Sequence, residues 1–480
     1  MPKMSLPDLR LPDLRLAAAV TAARVTSAGL RRAHRGGTAA PGLVADRIDP
    51  GLLGKLSADL PRGVALVAGT NGKTTVSRML ADILTADGAG VIHNRSGSNL
   101  VRGVTASFAE RADLLGRAGG DAAVIEADEA AFPELLRRIQ PRIVLLNNLF
   151  RDQLDRYGEL ATIARAWEAA LRTLPPDATI VANVDDPQIA QIVSGCRAKV
   201  LSFGISDQNR AIQLAELPHA ADTVRSRATG QPYVYDALYV GHLGAWRTAD
   251  GSEARPRLAF AGDQIRLDGV ESLAMYVEVA GPPAITISLE VGVPGLYNAY
   301  NALAATAAAR AFGVESTVIQ DALRSFRAAF GRIERVQLDG RTLTLALVKN
   351  PTGFNEVLRM LTMGDGQLAQ PTLIAINDLD ADGRDVSWLW DVDFELLAAG
   401  TTPLATAGIR APDMANRLKY AGVGNERITT IDGELPAALA TFVRSLPEGG
   451  SGYILPTYTA MLAIRKALAD RGAVEAFWKQ

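Results

Sequence analysis

A glycine-bearing window near residue 70 carries side chains suited to phosphate chemistry. The window consists of Gly69, Thr70, Asn71, Gly72, Lys73, Thr74 and Thr75. It follows the apolar run VALVA and precedes an amphipathic stretch. Glycines let backbone N–H groups approach phosphate oxygens, and the N-terminus of a following helix adds partial positive charge. Lys73 can reach the terminal phosphates, and the Thr74 hydroxyl can ligate Mg²⁺. The window therefore predicts a nucleotide-binding loop.

The elements that must position this loop alternate between apolar strands and helical stretches. After VALVA, apolar strands are predicted at AAVIEAD, RIVLLNNL and ATIVANVDD, and a long helix opens near Tyr297. A second set of strands follows at TLTLALV, TLIAIND, TPLATAG, RITTID and SGYILPT. Such alternation predicts α/β architecture with mostly parallel sheets covered on both faces.

Changes in pattern along the chain predict its domain organisation. We expect an N-terminal extension over 1–45, a central ATP-binding domain over 46–334, and a C-terminal Rossmann-like α/β domain over 335–480. The polar, turn-rich stretch 215–258 is expected to form a small ribbon-like β insertion in the central domain.

Composition restricts the class of protein. The chain has 480 residues and a net charge of −2, so nothing in its overall charge favours a nucleic-acid partner. Its one cysteine, Cys196, cannot form an internal disulfide, which fits a reducing compartment. Asp8 and Asp13 interrupt the N-terminus, which lacks the uncharged core of a signal peptide. We therefore expect a cytoplasmic protein.

The N-terminal extension contains the pentapeptide LPDLR twice, followed by an arginine-rich stretch with apolar residues between Leu14 and Leu30. This spacing suits one face of a helix. The helix either packs on the protein or rests on an anionic membrane surface, and the sequence leaves both interpretations open.

The phosphate loop resembles that of the Mur ligases and the folylpolyglutamate synthetases, which phosphorylate a carboxylate with ATP and let an amine attack the acyl phosphate. Further stretches occur in that family's order over roughly residues 60–335: Asn94 to Asn99, Glu126, the turn Asn183 to Pro187, Asn298 with Asn301, and Arg332. The resemblance implies that Glu126 binds Mg²⁺, that the two asparagines lie near the adenine, and that Arg332 contacts ATP.

Each of these residues also has an ordinary structural interpretation. Glu126 would then be a solvent-facing carboxylate at a strand end, Asn298 a helix cap, and Arg332 an ion-pair partner. Asp186 is expected to form a turn rather than to act in catalysis.

Three departures from the amino-acid-adding ligases resemble the MurT group of the family. The usual DHLD motif appears as Asp152-Gln153-Leu154-Asp155. The motif opening the C-terminal domain appears as ALVKNPTGFNE, with Ala346 and Lys349 in place of the usual aspartate and histidine. The carboxylate-rich segment from Asn377 to Trp388 resembles the MurT C-terminal signature.

The MurT resemblance implies ammonia as the nucleophile and a partner glutaminase subunit, GatD, as its source in a heterodimer. It also implies that Asp385 completes the partner's Cys–His pair by orienting and stabilising the histidine. Asp391 and Asp393 are weaker candidates for this role. Alternatively, Asp385 caps a helix that begins at Val386.

Many MurT proteins carry a zinc ribbon in the inserted region. Here the ligand positions are occupied by Ser226, Thr229, Thr248 and Gly251. Hydroxyls and glycine cannot replace thiolates as zinc ligands, so no zinc is expected. We predict a metal-free pair of hairpins, held by packing around Tyr233, Tyr235, Tyr239 and Trp246, in which His242 is structural.

The resemblance as a whole implies ATP- and Mg²⁺-dependent amidation of the D-glutamate α-carboxylate of lipid II to D-isoglutamine in peptidoglycan synthesis, with Lys73, Glu126 and Asp385 as catalytic residues. A polyprenyl-linked substrate implies peripheral contact with the inner membrane face. Two alternatives remain. One is a Mur- or folylpolyglutamate-type ligase that adds an amino acid. The other is a nucleotide-binding scaffold without catalytic activity.

Overall fold

A computed structural model describes residues 13–32, 39–94, 98–151, 160–219, 221–327, 332–362 and 366–474. The stretch Asp152 to Asp155, the residues between Asn94 and Ser98, and most of the LPDLR repeat lie outside these ranges. For Arg332 the backbone is described but the side chain is not. No helix among the described residues is both long enough and apolar enough to span a bilayer.

The first and larger part of the chain forms a nine-stranded sheet with helices on both faces. Its elements up to the insertion are α1 (Leu14–Arg32), α2 (Ala39–Ile48), α3 (Leu52–Ala58), β1 (Gly63–Ala68), α4 (Lys73–Ala86), β2 (Val91–His93), α5 (Val101–Arg111), β3 (Ala122–Glu126), α6 (Phe132–Ile139), β4 (Ile143–Leu146), α7 (Leu160–Leu171), β5 (Thr179–Asn183), α8 (Pro187–Val193) and β6 (Lys199–Ile205).

The elements after β6 complete this sheet and add a separate hairpin. They are β7 (Tyr233–Val240), β8 (Leu243–Thr248), β9 (Phe260–Asp268), β10 (Ser272–Val279), β11 (Ile285–Val291), α9 (Leu296–Phe312) and α10 (Ser316–Ser325). The strand order is β11-β10-β9-β6-β5-β4-β1-β3-β2, and all neighbours from β9 to β2 are parallel. Strands β9, β10 and β11 form an antiparallel meander at one edge, which the sequence analysis did not anticipate.

The second part of the chain forms a six-stranded sheet in the order β12-β13-β17-β14-β15-β16. Its elements are β12 (Arg332–Leu338), β13 (Arg341–Ala346), α11 (Pro351–Leu361), β14 (Thr372–Ala375), β15 (Leu404–Ala407), α12 (Ala411–Tyr420), β16 (Ile428–Thr430), α13 (Leu435–Ser445), β17 (Ser451–Pro456) and α14 (Tyr458–Asp470). Only the β12–β13 pair is antiparallel. The predicted α/β class with mostly parallel sheets is therefore confirmed.

Burial explains why the central strands read as continuous apolar runs. Every residue of β3 and of β4 is buried, because helices cover both faces of a parallel sheet. Side chains on one face pack against α4 and α9, and those on the other pack against α1, α3, α5 and α6. The carboxyl ends of β1, β3 and β4 consequently meet at one edge, where the loops that follow them converge.

The insertion forms one antiparallel hairpin, β7–β8, flanked by two tight turns. Tyr233 and Trp246 pack edge to face with ring centroids 5.2 Å apart, and both are buried together with Tyr239. Trp246 Nε1 donates to the carbonyl of Val184 at 2.9 Å, which fastens the hairpin to the main sheet.

Candidate active site

The phosphate loop lies between β1 and the N-terminus of α4, as the sequence predicted. Gly72 precedes the helix with φ of 84°, in the left-handed region that favours glycine. A Cβ atom at Gly72 would lie 2.1 Å from Oδ1 of Asn301 and 2.6 Å from Nδ2 of Asn147. Glycine is therefore required both by the backbone conformation and by two side chains that close over the loop.

Lys73 is the first residue of α4, and its ammonium group is nearly enclosed. Its Nζ donates to Oε1 of Glu129 at 2.8 Å and to the carbonyl of Thr70 at 3.2 Å. The side chains of Lys73 and Glu129 are only 9% and 6% exposed. A buried ion pair of this kind holds the lysine in one direction along the loop, where the phosphates of a nucleotide would compete for it. The sequence analysis did not single out Glu129.

Glu126 lies at the end of β3, beside the phosphate loop. Its Cα is the register partner of Val67 in the neighbouring strand β1, two residues before Gly69. The backbone of Glu126 is held by Asn94, which accepts from its N–H at 2.8 Å and donates to its carbonyl at 2.9 Å. The structure thus brings Glu126 to the same sheet edge as the loop, with its side chain buried.

The donor set at this edge fits Mg²⁺ carried by a nucleotide. No group of three His, Cys, Asp or Glu residues that could hold a metal ion occurs in the described ranges. Mg²⁺ is commonly bound by one or two carboxylates together with phosphates and water, not by an all-protein cage. Glu126 and the partly exposed Thr74 hydroxyl would supply that smaller set.

Two amide side chains at the end of one strand, β4, hold the phosphate loop in place. Asn147 and Asn148 follow β4, and both donate Nδ2 to the carbonyl of Asn71, at 2.8 and 3.0 Å. Asn148 Oδ1 accepts from the N–H of Asn71 at 2.8 Å. Thr70 exchanges two hydrogen bonds of 3.0 Å with the backbone of Phe150. These contacts fix the position of the loop relative to the end of β4.

The same network extends to α9 and to the C-terminal sheet. Asn147 Nδ2 also donates to Oδ1 of Asn301 at 3.1 Å, and Asn301 donates to Asn298 at 2.9 Å. Asn350, which caps α11 by accepting from Gly353 N–H, donates Nδ2 to Oδ1 of Asn71 at 2.9 Å. The structure therefore links Asn301, and Asn298 through it, to the phosphate loop, and adds Asn350 from the other sheet. Their expected place near the adenine stays a prediction.

Two buried atoms of the network have no hydrogen-bond partner within the described ranges. They are Nδ2 of Asn71, a donor, and Oδ1 of Asn147, an acceptor. Leaving such atoms buried and unsatisfied costs about 1–3 kcal/mol each. A polar ligand with acceptor oxygens, such as a phosphate chain, would satisfy the Asn71 donor.

A cavity of about 120 Å³ lies above the loop, between the two sheets. It is lined by the phosphate loop on one side and by α11 on the other, with Val240 and Leu243 of the insertion closing one end. Pockets that enclose small molecules usually measure about 300–1,000 Å³. The cavity is smaller than that range, so we expect it to enclose only part of a nucleotide.

The NVDDP turn contacts both the insertion and Tyr300, which lines the cavity at the phosphate loop. Asp186 caps α8 by accepting from Gln188 and Ile189 N–H, as the turn-forming interpretation predicted. Asp185 accepts from Tyr300 Oη at 2.7 Å and from Arg255 at 2.6 Å. Burial raises the pKa of Asp185, and Arg255 opposes that rise.

His242 lies fully buried at the hairpin turn, against the ring of Phe150 with centroids 4.4 Å apart. Its Nε2 is 3.5 Å from Oδ2 of Asp186, and Tyr235 Oη donates to its carbonyl at 2.9 Å. These contacts fit the structural role expected for His242.

The four positions expected for lost zinc ligands lie in the two turns that flank the hairpin. Ser226 Oγ accepts from the N–H groups of Ala228 and Thr229, both at 3.1 Å, and also from Gln191 Nε2 at 2.9 Å. Thr248 Oγ1 accepts from Glu253 N–H at 3.0 Å, and Gly251 has φ of 73°. The hydroxyls of Ser226 and Thr248, together with the side-chain amide of Gln191, therefore stabilise the two turns that flank the hairpin.

Asp385 lies far along the chain, on an exposed segment before a 3₁₀ helix at Ser387–Asp391. Its Oδ1 accepts from Ser387 N–H at 2.8 Å, and this hydrogen bond lowers the pKa of the Asp385 carboxyl. The helix begins one residue later than the capping interpretation placed it, and its cap position is Val386. The described contacts do not join Asp385 to the phosphate loop.

Asp391 and Asp393, the weaker candidates, both contact the first part of the chain. Asp391 lies 3.4 Å from an Arg151 nitrogen, and Asp393 Oδ1 lies 3.1 Å from Nδ1 of His219. Both are therefore engaged in holding the segment, whereas Asp385 is not.

Two family models match the chain. The Mur ligase middle domain matches residues 67–241, and the MurT ligase C-terminal model matches residues 347–461. Among solved structures, a pseudomurein peptide ligase type C from Methanothermus fervidus aligns with a TM-score of 0.64 at 17% identity, covering 85% of this chain and 78% of that one. MurF from Thermotoga maritima in complex with ADP aligns with a TM-score of 0.60 at 14% identity, covering 90% and 85%. The fold and the loop define an ATP-dependent ligase of the Mur type.

Two proteins that are similar to this chain over more than 90% of its length identify the group of Mur-type ligases to which it belongs. The lipid II isoglutaminyl synthase (glutamine-hydrolyzing) subunit MurT of Streptococcus pneumoniae is 32% identical over 446 residues, which is 93% of this chain and 95% of that protein. The subunit of the same name in Staphylococcus aureus is 26% identical over 442 residues, 91% and 94% of the two chains. The chain belongs to the MurT family, the group of peptidoglycan-synthesis ligases that the sequence analysis identified.

Proposed function

We propose that this chain is the synthetase subunit of a glutamine-dependent amidotransferase that converts the D-glutamate of lipid II to D-isoglutamine. ATP phosphorylates the α-carboxylate, and ammonia then displaces phosphate from the acyl phosphate. The observation that carries the proposal is the enclosed Lys73 at the end of a glycine-lined loop, held by residues from both sheets.

The residues at the loop have distinct tasks in this reaction. Lys73 leaves Glu129 and binds the phosphoryl group in transfer, where its charge offsets the charge that develops on the phosphate oxygens. The two backbone-holding asparagines, Asn147 and Asn148, keep the loop N–H groups directed at the nucleotide. Bound Mg²⁺ would neutralise phosphate charge, and Glu126 with Thr74 would hold it.

The two sheets together exclude water from the reacting centre. Asn350 contacts the loop directly, and α11 forms the opposite wall of the cavity. Closure of this wall over an acyl phosphate protects it from hydrolysis until ammonia arrives.

Ammonia is supplied by a partner glutaminase, GatD, and Asp385 completes the catalytic machinery of that partner. The lowered pKa of Asp385 keeps it ionised near neutral pH, as stabilising a protonated histidine requires. Beside it lie Trp390 and Tyr420, which are 53% and 78% exposed and whose rings are 5.5 Å apart. Exposed aromatic side chains beside a hollow of about 410 Å³ suit a protein interface.

A polyprenyl-linked substrate places this reaction at the inner face of the membrane. Helix α1 turns its apolar face, including Leu16 and Val20, into the protein, while Arg15, Arg24 and Arg32 lie partly or fully in solvent. Leu14 and Val25 on the same helix are also exposed, so peripheral contact would combine charge with apolar side chains.

The direct test combines the purified chain with GatD, glutamine, ATP·Mg²⁺ and lipid II. We expect ADP, phosphate, glutamate and amidated lipid II in equal amounts. A heavy-oxygen label placed in the α-carboxylate should appear in the released phosphate, because the acyl phosphate transfers one carboxylate oxygen. Turnover that requires an added amino acid would favour an amino-acid ligase instead. Nucleotide binding without any turnover would favour a scaffold.

A further inference from the structure

His242 is a buried polar residue whose ring the proposed reaction has not used. It lies in the turn of the insertion hairpin between Val240 and Leu243, which both line the nucleotide cavity. Its side chain is fully buried, and neither ring nitrogen forms a hydrogen bond with any residue that the structure describes. Burying a polar group without a partner lowers stability, so an apolar ring at this position would favour folding more. Such a departure from ordinary packing is typical of functional sites.

The carboxylate of Asp186 lies close to the ring. Nε2 of His242 is 3.5 Å from Oδ2 of Asp186, beyond the usual N–H···O range of about 2.7–3.2 Å. Oδ2 already accepts from Leu149 N–H at 2.8 Å, while Oδ1 caps α8. A carboxylate oxygen can accept a second hydrogen bond, and an imidazole has an N–H to donate in both its neutral and its charged form. A small shift would therefore join His242 to Asp186.

The ring of His242 also contacts a residue that is bonded to the phosphate loop. Its centroid lies 4.4 Å from that of Phe150. The backbone of Phe150 exchanges two hydrogen bonds of 3.0 Å with Thr70 Oγ1, and the carbonyl of Thr70 accepts from Lys73 Nζ at 3.2 Å. Direct contacts through Phe150 and Thr70 thus connect His242 to the ammonium of Lys73.

The turn that carries His242 packs tightly against the same phenylalanine. Gly241 has φ of 56°, in the left-handed region that favours glycine, and a Cβ atom there would lie 2.7 Å from Cε1 of Phe150. Tyr235 Oη fixes the backbone of the turn by donating to the carbonyl of His242 at 2.9 Å. The hairpin turn and Phe150 therefore pack as one unit.

From these contacts we infer that His242 is a positioning residue for phosphoryl transfer. When nucleotide occupies the loop, the imidazole N–H closes onto Asp186, the acceptor of Leu149 N–H. This hydrogen bond fixes Leu149 and Phe150 in the place from which the loop directs Lys73 at the phosphoryl group. Hydrogen bonds that are long without ligand commonly shorten in the reacting complex. The inference rests on the proposed function and gives the insertion a task in it.

The test compares two substitutions that keep different parts of the imidazole. His242→Phe keeps a ring against Phe150 and removes the N–H. His242→Gln keeps an N–H near the place of Nε2 and removes the ring. Trp246→Phe is the matched control, because it removes another side-chain hydrogen bond of the same hairpin, the one to the carbonyl of Val184. Each full chain is assayed in complex with the glutaminase, with lipid II, ATP·Mg²⁺ and saturating ammonium chloride, so that glutamine hydrolysis does not limit the rate.

We expect the order of stability and the order of activity to differ. His242→Phe should melt at or above the wild-type temperature, yet its kcat for ADP release should be about tenfold lower, with the KM for ATP within about twofold. His242→Gln should melt at a lower temperature but keep a kcat within about threefold of the wild type, because its N–H still reaches Asp186. Trp246→Phe should melt at a lower temperature with an unchanged kcat.

An NMR measurement follows the ring itself. The chain has four histidines, so isotope-labelled histidine gives few signals, and the His242 signal is the one lost in His242→Gln. Addition of the non-hydrolysable analogue AMPPNP with Mg²⁺ should move the Nε2–H proton downfield, because the hydrogen bond to Asp186 shortens. This readout needs bound nucleotide only and does not depend on turnover.

Full kcat in His242→Phe would overturn the inference, and so would a kcat in His242→Gln as low as that of His242→Phe. An equal loss of kcat in Trp246→Phe would also overturn it, because the hairpin as a whole would then be responsible. Reduced stability of His242→Phe, or an unmoved Nε2–H signal with AMPPNP bound, would count against it in the same way. Absence of ADP release by the wild-type complex is a different result: it refutes the proposed function, while the AMPPNP measurement still tests the ring.

Discussion

The phosphate loop and the segment at Asp385 are organised in opposite ways. The loop is buried, and its contacts join residues from β4, α9 and α11, up to 279 positions apart in sequence. Asp385 lies at the surface, and its recorded hydrogen bond reaches only two residues along the chain. Under the proposed function, the chain completes the first site by itself and the partner subunit completes the second.

This difference shows which contacts position the functional groups at each of the two places. At the loop, the end of β4 and a network of amide side chains hold the groups in place, which is the preorganisation that electrostatic catalysis requires. At Asp385 the chain supplies a carboxylate on a locally ordered turn, and under the proposed function docking of the partner supplies the other catalytic groups. Variants at the two places should therefore fail in different assays.

The largest effect is expected for Lys73→Ala. Loss of the ammonium removes the charge that stabilises phosphoryl transfer, so ATP turnover should fall about 1,000-fold with glutamine and with ammonium chloride alike. Steady-state ADP release measures the change. Lys466→Ala, which removes an exposed lysine paired with Asp470, is the control and should keep wild-type turnover. Substantial activity in Lys73→Ala would show that the loop is not the catalytic site.

Asp385→Asn should show most clearly that the phosphate loop and the segment at Asp385 act in different steps. Without the carboxylate the partner's histidine loses its stabilising charge, and glutamine-driven amidation should fall about 100-fold or more. Amidation from ammonium chloride should continue, because the phosphate loop does not contact this segment. The control is Asp413→Asn, a carboxylate in the same hollow that pairs with Arg410. If both variants lose glutaminase activity equally, the surface rather than Asp385 itself is responsible.

Glu129→Gln tests how the loop is held before nucleotide binds. Weakening a buried ion pair should lower the free energy of unfolding by about 2 kcal/mol, because Lys73 stays buried with less compensation. Phosphates of bound ATP would replace the lost charge, so ATP·Mg²⁺ should raise the melting temperature more in the variant than in the wild type. Thermal unfolding with and without nucleotide measures this difference. An equal nucleotide effect in both proteins would mean that Lys73 does not exchange Glu129 for phosphate.

Much of the architecture was predictable, because parallel strands buried on both faces appear as unbroken apolar runs. The strands at AAVIEAD, RIVLLNNL and SGYILPT and the helix near Tyr297 occur where their patterns placed them. The meander β9–β11 was missed, since its residues alternate between buried and exposed and follow a polar stretch that resembled a loop.

The candidate site was predictable where a motif is local and not where it depends on distant contacts. Gly72 and Lys73 are adjacent in sequence, so the seven-residue window from Gly69 to Thr75 was enough to predict phosphate binding. Glu129 and Asn350 reach that loop only after folding, and nothing in their own sequence neighbourhoods indicates phosphate chemistry. Asn147 and Asn148 could have been predicted as site residues, because they directly follow an apolar strand. The carboxyl ends of parallel strands converge at ligand sites.

Asn350→Ala probes the contact that joins the two sheets at the loop. The variant loses a helix cap and the bond to Asn71, so it should cost about 1 kcal/mol of stability and raise the KM for ATP a few-fold. Asn209→Ala is a matched control, because Asn209 caps a short 3₁₀ helix by accepting from Ala211 N–H and lies outside the nucleotide cavity. The control should leave the KM for ATP unchanged. Equal KM values for ATP in the two variants would show that Asn350 does not contribute to nucleotide binding.

The smallest effect concerns metal in the insertion, whose turn closes one end of the nucleotide cavity through Val240 and Leu243. If a zinc ion held this hairpin, the buried site would depend on an external component, and the contrast with the Asp385 segment would weaken. Ser226 and Thr248 instead hold the flanking turns through hydroxyl hydrogen bonds. A zinc-selective chelator should therefore leave the melting temperature and, with Mg²⁺ in excess, ATP turnover unchanged. A drop in melting temperature that added zinc reverses would contradict this expectation and would direct the search to ligands other than the four substituted positions.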